Sequence, residues 1–225
     1  MTDAKSFTPA LGHAALTPLY DGAIALLTRE QSWRGALLRQ IAPQASDVIL
    51  DVGCGTGTLA LMLKRAAPGA TVIGVDPDPQ VLARATERAR QASLNLDFEQ
   101  GFARDVSRLA RRGVNKVVSS LVFHQVPMEE KRAALSAMRV VLQPDGEAHI
   151  ADYGLQRTPL MRLLFSQVQM LDGRDNTTPN AEGIMPRLMA EAGFANVVET
   201  QVIATPTGSI SLYRGRSRDD FWVQA

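Results

Sequence analysis

The sequence predicts one α/β domain, and three observations support this fold class. After the first dozen residues, short apolar runs alternate with longer amphipathic segments, which is the pattern of strands and helices that follow one another in turn. Hydrophobic residues make up 45% of the 225 residues, enough for one well-buried core. No internal repeat, low-complexity tract or Pro/Gly/Ser-rich linker divides the chain.

The charge and the cysteine content exclude several classes of partner. The 24 basic and 23 acidic residues are well mixed and give a net charge of +1. The sequence therefore lacks the excess of positive charge that binding to nucleic acids or anionic lipid surfaces usually requires. The single cysteine, Cys54, cannot form an internal disulfide, and the first residues lack the order of a signal peptide. Because no apolar run approaches about 18 residues, we expect no membrane span and a cytoplasmic location.

Two helices are expected before the first strand. Thr17 followed by Pro18 is a helix start, because the hydroxyl caps the helix and proline suits its first position. Thr28 with Gln31 resembles a capping box for a second helix, whose apolar residues are Trp33, Leu37, Leu38 and Ile41. We interpret residues 1–44 as an N-terminal helical cap.

Five strands and their connecting helices come next. The segments "DVILDVG" and "ATVIGVD" are apolar at successive positions, as buried parallel strands are, whereas "LNLDFEQG" alternates, which suits a sheet edge. The fourth and fifth strands are "NKVVSSLVF" and "GEAHIADYG". Helices are expected from Thr58 to Ala66, from Asp78-Pro79 to about Ala92, and from about Met128 to Leu142.

The pattern changes after the fifth strand. The segment from Thr158 to Leu171 is apolar on nearly every side, and we interpret it as an inserted helix that is either a core helix or a lid over the substrate. A crossover helix is expected from Ala181 to Ala192, with Gly193 as its left-handed end. The last two strands, "NVVETQVIA" and "SISLYRGRS", are separated only by Pro206-Thr207-Gly208, so the pair is predicted to be antiparallel.

The stretch "ILDVGCGTGTL" places three glycines within five positions, where the first strand leads into a helix. Such a turn brings backbone N–H groups, without side-chain bulk, to the carboxyl edge of the sheet, where a ligand can lie against them. Dinucleotides and S-adenosylmethionine both use this geometry. A dinucleotide fingerprint needs a third glycine where this chain has Thr58, and Asp51 would repel a pyrophosphate but suit a ligand that carries an ammonium and a sulfonium.

Asp76 is the second candidate for ligand binding, because it ends the second predicted strand beside the glycine turn. A carboxylate at this place can accept hydrogen bonds from both ribose hydroxyls in either class of ligand. The alternative is a carboxylate that only starts the next helix beside Pro77.

Three segments together resemble the successive motifs of class I S-adenosylmethionine-dependent methyltransferases, most closely the ubiquinone/menaquinone-biosynthesis C-methyltransferase-like group. They are "ILDVGCGTGTLAL", "VIGVDPDPQVLARA" and "VVSSLVFHQVPMEEKRAALSAMRVVLQPDGEAHIAD". The resemblance implies a Rossmann-like seven-stranded sheet in the order 3-2-1-4-5-7-6, with strand 7 antiparallel and helices on both faces. It also implies one methyltransferase domain over 1–225, with a cofactor-binding core over 45–153, an inserted lid helix over 154–178, and a C-terminal helix and strand pair over 179–225.

The resemblance further implies where the cofactor is held. The loop of Gly53, Cys54, Gly55, Thr56 and Gly57 would hold the methionine end. Asp76 with Pro77 would hold the ribose, and Ser120 would line the sulfonium side. Tyr20 matches a tyrosine that often closes over the cofactor in such enzymes.

The adenine position falls on Phe102 and Ala103, and here the sequence departs from the family pattern. Relatives usually have an aspartate or asparagine in place of Phe102, and its side chain bonds to the adenine amine. In this chain the Phe102 ring could pack on the base instead, and Asp105 or a backbone carbonyl could accept from the amine.

Two residues at the same edge are candidates for catalysis. Methyl transfer from a sulfonium is an in-line displacement of an activated group, so alignment and exclusion of water matter most, and a base is optional. His124, soon after the fourth strand, is the candidate base, or else a packing or capping histidine. Asp152, at the end of the fifth strand, is a substrate contact or a structural cap. The three histidines lack metal-ligand spacing, so no metal is expected.

The sequence therefore predicts an S-adenosylmethionine-dependent methyltransferase that releases S-adenosylhomocysteine. The expected acceptor is a small hydrophobic, phenolic or quinone-like molecule, with O- or C-methylation ahead of N-methylation, and the expected assembly is a monomer or homodimer. An NAD(P)-dependent oxidoreductase and a non-catalytic S-adenosylmethionine-binding protein are the alternatives.

Overall fold

The structure, a computed structural model, describes residues 29–217, with the side chains of 110 and 111 left aside. Seven helices are found in this part of the chain: α1 (Glu30–Ile41), α2 (Thr58–Ala66), α3 (Pro79–Gln91), α4 (Met128–Val141), α5 (Pro159–Asp172), α6 (Arg174–Ala181) and α7 (Met185–Glu191). Two 3₁₀ segments cover Ala103–Arg112 and Phe123–Gln125. The predicted helix at Thr17 and the predicted site residue Tyr20 lie outside the described residues.

Seven strands of the described part of the chain form one sheet. They are β1 (Val48–Val52), β2 (Thr71–Asp76), β3 (Asp97–Gln100), β4 (Lys116–Ser120), β5 (Glu147–Tyr153), β6 (Phe194–Thr205) and β7 (Gly208–Ser217). Their order is β3-β2-β1-β4-β5-β7-β6, and β7 runs antiparallel to both β5 and β6. The predicted fold class, strand order and antiparallel strand are confirmed.

The parallel register brings the carboxyl ends of four strands to one edge. Val52 pairs with Val75 on one side and with Ser119 on the other, and Ser119 pairs with Ile150. The residues that follow these positions therefore meet at a common edge. This edge, which is the usual ligand-binding edge of an open α/β sheet, collects the glycine turn, Asp76, Ser120 and Asp152.

Helices cover both faces of the sheet because successive residues of the central strands point to opposite sides. Leu50 and its neighbours pack in one core with helices α4 and α7, including Leu135 and Leu188. Ile49 belongs to the other core, with Trp33 of α1 and Phe165 of α5. The apolar runs of β1 and β2 are thus explained by burial on both faces.

Several boundaries differ from the sequence prediction. Helix α6 was not predicted, because "RDNTTPNA" has poor helix formers and a proline. The helix is held in place by two buried residues, Thr177 and Asn180, and Thr177 Oγ1 donates to Gly173 O at 2.7 Å. The crossover helix α7 begins at Met185 rather than Ala181, since Gly183 takes a left-handed φ of 82°. Helix α1 follows Arg29, which is left-handed and whose own side chain makes no cap hydrogen bond; Thr28 of the predicted capping box lies outside the described residues.

The predicted inserted helix is present as α5, capped by Thr158, whose Oγ1 accepts from the Met161 amide at 3.1 Å. It is buried on only one side: Phe165 and Val168 face the core, whereas Leu163 and Met170 are 68% and 84% exposed. Within residues 29–217, none of the helices combines the length and hydrophobicity needed to cross a bilayer. The division of the chain at 44, 153 and 178 stays a prediction.

Candidate active site

The glycine turn after β1 depends on three left-handed residues, with φ of 71° at Gly53, 52° at Gly55 and 78° at Gly57. A Cβ on Gly53 would come within 2.3 Å of Val122 Cγ2, so this glycine is required for packing. A Cβ on Gly55 would meet no atom of the described residues within 4 Å. Gly55 is thus fixed by its backbone conformation alone, and its α-carbon faces open space above the sheet edge.

Asp76 ties the glycine turn to the next strand. Its Oδ2 accepts from the Gly55 amide at 2.9 Å, and its Oδ1 accepts from the Asp78 amide at 3.0 Å. The start of α3 is capped by Asp78, whose Oδ1 accepts from the Gln80 amide at 2.8 Å. Each oxygen of an ionised carboxylate can accept a second hydrogen bond, so Asp76 retains acceptors for a diol. Burial raises the pKa of Asp76, and the bonds from the Asp78 and Gly55 amides act in the opposite direction.

Asp51 is a buried carboxyl beside this turn. The side chain is fully buried, and among the described residues neither carboxyl oxygen has a hydrogen-bond partner. Burial raises the pKa of Asp51 to about 7, and the negative field of Asp76 raises it further. The positive field of Arg34 and the nearby Ala60 amide lower the pKa, although this amide forms no hydrogen bond with the carboxyl. An unpartnered carboxylate in such a place is costly unless a cation or donor reaches it.

Arg34 of α1 is a site residue that sequence reasoning missed. Its Nη1 donates to Ser120 Oγ at 3.1 Å, its guanidinium pairs with Glu30, and it lies 4.5 Å from the centroid of the Trp33 ring. The signal available in the sequence was the i, i+4 spacing of Glu30 and Arg34, which usually marks only a surface ion pair. The contact with Ser120 joins residues 86 positions apart.

The predicted adenine position lies at the carboxyl end of β3, next to Asp76 through its pairing with Gln100. The Phe102 ring is 39% exposed, and the Arg104 guanidinium lies 4.7 Å from its centroid. Ala103, which begins the 3₁₀ segment, is half-buried beside it.

Cys54 and Pro77 complete the predicted set of cofactor residues. The Cys54 thiol is buried, and burial raises its pKa well above the usual range, so it is an inert packing group. Pro77 is half-buried, and its carbonyl accepts from Gln100 Nε2 at 3.1 Å. Neither contact tests the predicted role in cofactor binding.

His124 lies between two carboxylates at the other end of the edge. Its Nδ1 is 2.8 Å from Asp152 Oδ1, and its Nε2 is 3.5 Å from Oδ2 of Asp172, the last residue of α5. Asp152 also accepts from three backbone amides, those of Phe123, His124 and Tyr153. The structure therefore brings the two predicted catalytic residues together and adds Asp172, which the sequence did not single out.

These contacts set the charge of His124. Burial by itself lowers the pKa of the ring, but Asp152 and then Asp172 raise it, with a net result of about 9. At neutral pH the ring is an imidazolium, which is an ion-pair partner rather than a free base. The base role of His124 stays a prediction, and in this arrangement it would need Asp172 to move away.

Next to it, the fully buried ammonium of Lys131 donates to the carbonyls of Phe123 and Asn176, and burial lowers its pKa to about 8. The 3₁₀ turn that carries His124 is thereby joined to α6. Among residues 29–217, no group of three or more His, Cys, Asp or Glu side chains is placed to hold a metal ion.

The raised pKa of His124 predicts a pH-dependent stability. A group whose pKa rises from 6.5 unfolded to about 9 folded stabilises the fold fully below about pH 6.5, and this stabilisation is lost as the pH approaches 9. We expect the wild type to have a higher free energy of unfolding than His124→Gln. The difference between the two proteins should be larger at about pH 6 than at about pH 9.5, by about 3 kcal/mol. Urea unfolding of both proteins at each pH measures this, and a difference independent of pH would contradict the ion pair.

Residues 49–146 match the sequence profile of a family described as a methyltransferase domain. The chain is 28% identical over 134 residues to a ubiquinone/menaquinone biosynthesis C-methyltransferase of Bdellovibrio bacteriovorus, covering 60% of this chain and 56% of the relative. It is 31% identical over 156 residues to a demethylmenaquinone methyltransferase of Chlorobaculum parvum, covering 67% and 61%. The matched segments thus span less than two thirds of these relatives.

Among solved structures, the fold resembles a magnesium protoporphyrin IX methyltransferase of Synechocystis with bound S-adenosylhomocysteine. The TM-score is 0.62 at 17% identity, with 84% of this chain and 83% of that chain covered. A putative O-methyltransferase of Nostoc punctiforme aligns with a TM-score of 0.70 at 18% identity, covering 96% and 64%. At these identities the likeness concerns the fold alone.

Proposed function

We propose that this chain is a class I S-adenosylmethionine-dependent methyltransferase, which transfers a methyl group from S-adenosylmethionine to a small hydrophobic acceptor. The match of residues 49–146 to a methyltransferase domain and the similarity to two methyltransferases support this proposal. The family match favours methyl transfer over the hydride transfer of an NAD(P)-dependent oxidoreductase.

One observation carries this proposal: the buried Asp51 carboxyl, with no hydrogen-bond partner among the described residues, lies two residues before the glycine turn. The negative field of Asp76 adds to that of Asp51 at the same place. A pyrophosphate would add further negative charge there, which is unfavourable in a buried setting. A ligand with an ammonium group instead neutralises Asp51, so the site fits the amino-acid end of S-adenosylmethionine.

The cofactor would be held by residues from four strand ends. The glycine turn and Asp51 take the methionine end, Asp76 takes the ribose hydroxyls, and the adenine lies at Phe102 and Ala103. Ser120 lines the sulfonium side, where Arg34 fixes its hydroxyl. When bound, S-adenosylmethionine supplies a methyl group already activated for in-line displacement, so these residues mainly orient and desolvate it.

We propose a positioning role for His124 and Asp152, besides the predicted base role of His124. Asp152 fixes the turn after β4 through three amide hydrogen bonds, and His124 links that turn to Asp172 at the end of α5. Phe165 and Val168 on the buried side of α5 pack in the core, so α5 would approach the acceptor through its end at Asp172, beside His124. The interpretation of α5 as a lid over the acceptor stays a prediction.

The acceptor class follows from the same surroundings and from the relatives. Two relatives are named for quinone biosynthesis, and α5 supplies apolar surface at the edge, so we infer a phenolic or quinone-like acceptor with O- or C-methylation ahead of N-methylation. We also propose a cytoplasmic monomer or homodimer, as the sequence suggests.

The discriminating experiment is a thermal-shift comparison of ligands. S-Adenosylhomocysteine should raise the melting temperature, and NADH or NADPH at the same concentration should leave it unchanged. Incubation of the enzyme and S-adenosylmethionine with a metabolite extract, followed by mass spectrometry for a product heavier by one CH₂, should then identify the acceptor. Binding without turnover across a broad panel of phenols and quinones would favour the non-catalytic alternative.

Replacing Asp76 by alanine should weaken S-adenosylhomocysteine binding by about 1.5–3 kcal/mol, the usual scale for lost hydrogen bonds to a charged group. The substitution removes both the ribose acceptors and the bond to the Gly55 amide. Isothermal titration calorimetry on the folded variant measures the loss. Asp78→Ala is the matched control, because it removes only the α3 cap and should leave the affinity within about twofold.

A further inference from the structure

Arg88 of α3 contacts the glycine turn. Its Nη1 lies 2.8 Å from Thr56 O, 3.0 Å from Thr56 Oγ1 and 3.0 Å from Thr58 Oγ1, so its two N–H groups serve three acceptors, and one hydrogen is shared between two of them. Three acceptors from both sides of Gly57 thus converge on one cationic nitrogen. Hydrogen bonds from a charged donor are stronger than neutral ones, and this donor reaches a backbone carbonyl within the turn.

Packing at Gly57 fixes the approach of α3. A Cβ on Gly57 would lie 3.0 Å from Ala85 Cβ and 3.1 Å from Phe98 Cζ, so the helix touches the turn directly. Ala85 lies one helical turn before Arg88 and on the same side of α3. The carboxyl end of the turn is therefore held by the packing at Gly57 and by the contacts of Arg88 with Thr56 and Thr58.

The peptide between Thr56 and Gly57 is bonded at both ends. Its carbonyl accepts from Arg88, and its amide donates to Cys54 O at 2.9 Å. Asp76 holds the same turn from the other side through the Gly55 amide. These bonds fix the orientation of the turn's peptide planes before a ligand binds. The turn therefore loses less conformational entropy on binding.

Thr58 has a role in this arrangement that its sequence position alone does not reveal. It stands where a dinucleotide motif requires glycine, and its hydroxyl is one of the three acceptors of Arg88. A glycine there would offer no such acceptor.

We infer that Arg88 is a positioning residue for S-adenosylmethionine binding, acting through Thr56 and Thr58 on the glycine turn rather than by touching the cofactor. The inference rests on the proposed function. It predicts that loss of Arg88 weakens cofactor binding although the residue is exposed and contributes little to global stability.

Arg88→Met tests this, because it removes the donors and keeps a good helix former. Calorimetry should show the Kd of S-adenosylhomocysteine rising about tenfold, with Arg88→Lys restoring most of the affinity. Arg90→Met is the matched control: it removes a cation from the same helix, but Arg90 pairs with Glu87 at 2.7 Å instead of the turn. Its Kd should stay within about twofold of the wild type.

Hydrogen exchange of the apo protein provides the second readout. The peptide that covers residues 53–59 should exchange faster in Arg88→Met than in the wild type. In Arg90→Met its exchange rate should equal that of the wild type. If the wild type binds S-adenosylhomocysteine and Arg88→Met binds equally well, the inference is overturned and the proposed function stands. If the wild type does not bind at all, the proposed function fails, and with it any role of Arg88 in cofactor binding, whatever the exchange shows.

Discussion

We expect Gly55→Val to lower the affinity for S-adenosylhomocysteine by at least about 100-fold, while the protein remains folded. The reason is local, because a Cβ at Gly55 meets no atom of residues 29–217 within 4 Å and points into the space above the sheet edge where we place the methionine end. The core is therefore not disturbed, but the ligand's space is taken. The left-handed φ of 52° adds backbone strain, which costs about 1–2 kcal/mol for a residue with a Cβ.

Gly113→Val separates these two effects. Gly113 also has a left-handed φ, 70°, and a Cβ there would likewise meet no described atom within 4 Å. It precedes β4, at the opposite edge of the sheet from the glycine turn. Both variants should lose similar stability in urea unfolding, but only Gly55→Val should lose binding by calorimetry. Normal binding by Gly55→Val would mean that the turn does not hold the cofactor.

The fold could be predicted from the sequence because its determinants are local. Residues buried on both faces make β1 and β2 apolar at most successive positions, and the left-handed conformations of the turn after β1 require glycine. Asp78 with Pro79 likewise marks the start of α3 within two residues. Each of these signals depends only on residues that lie close together in the sequence, so it can be recognised without knowledge of the fold.

The parts that sequence reasoning missed depend on contacts between distant residues. Helix α6 forms against its own propensity, because Asn180 donates to Tyr153 O and Asn176 donates to Gln125 O. The imidazolium of His124 depends on Asp172, and the bond from Arg34 to Ser120 joins two different elements of the fold. No periodicity or spacing encodes which of many charged residues will meet once the chain is folded.

Asp51→Asn should stabilise the apo protein against unfolding and at the same time weaken its binding of the cofactor. The wild-type carboxyl is buried, and its pKa is raised from 3.8 to about 7. A carboxyl with a raised pKa costs nothing well below pH 3.8, where it is protonated in both states, and it destabilises the fold increasingly from there up to about pH 7. We therefore expect Asp51→Asn to gain about 2–4 kcal/mol of unfolding free energy at about pH 8 and almost nothing at about pH 3.

Asp47→Asn is the matched control for stability. Asp47 is also a buried aspartate near β1, but its carboxylate accepts from Lys116 Nζ, Asn115 Nδ2 and the Gln44 amide, each at 2.7 Å. Burial acts to raise its pKa, but these bonds outweigh burial and leave the pKa lowered, so its charge stabilises the fold above about pH 4. The same substitution should therefore destabilise the protein at pH 8 and leave cofactor affinity unchanged.

Cofactor binding should respond to Asp51→Asn in the opposite direction from stability. If the carboxylate of Asp51 neutralises the ammonium of S-adenosylhomocysteine, losing it should weaken binding by about 100-fold at pH 8, as for a desolvated charge pair that loses one partner. In the wild type only the ionised carboxyl serves, so affinity should fall about tenfold from pH 8 to pH 6, through the pKa of about 7. Asp51→Asn should show a flat profile over that range. Calorimetry at pH 6, 7 and 8 measures the affinity of both proteins. Equal affinity of the wild type and Asp51→Asn at pH 8 would contradict the pairing of Asp51 with the ammonium, and with it the proposal of a cationic ligand.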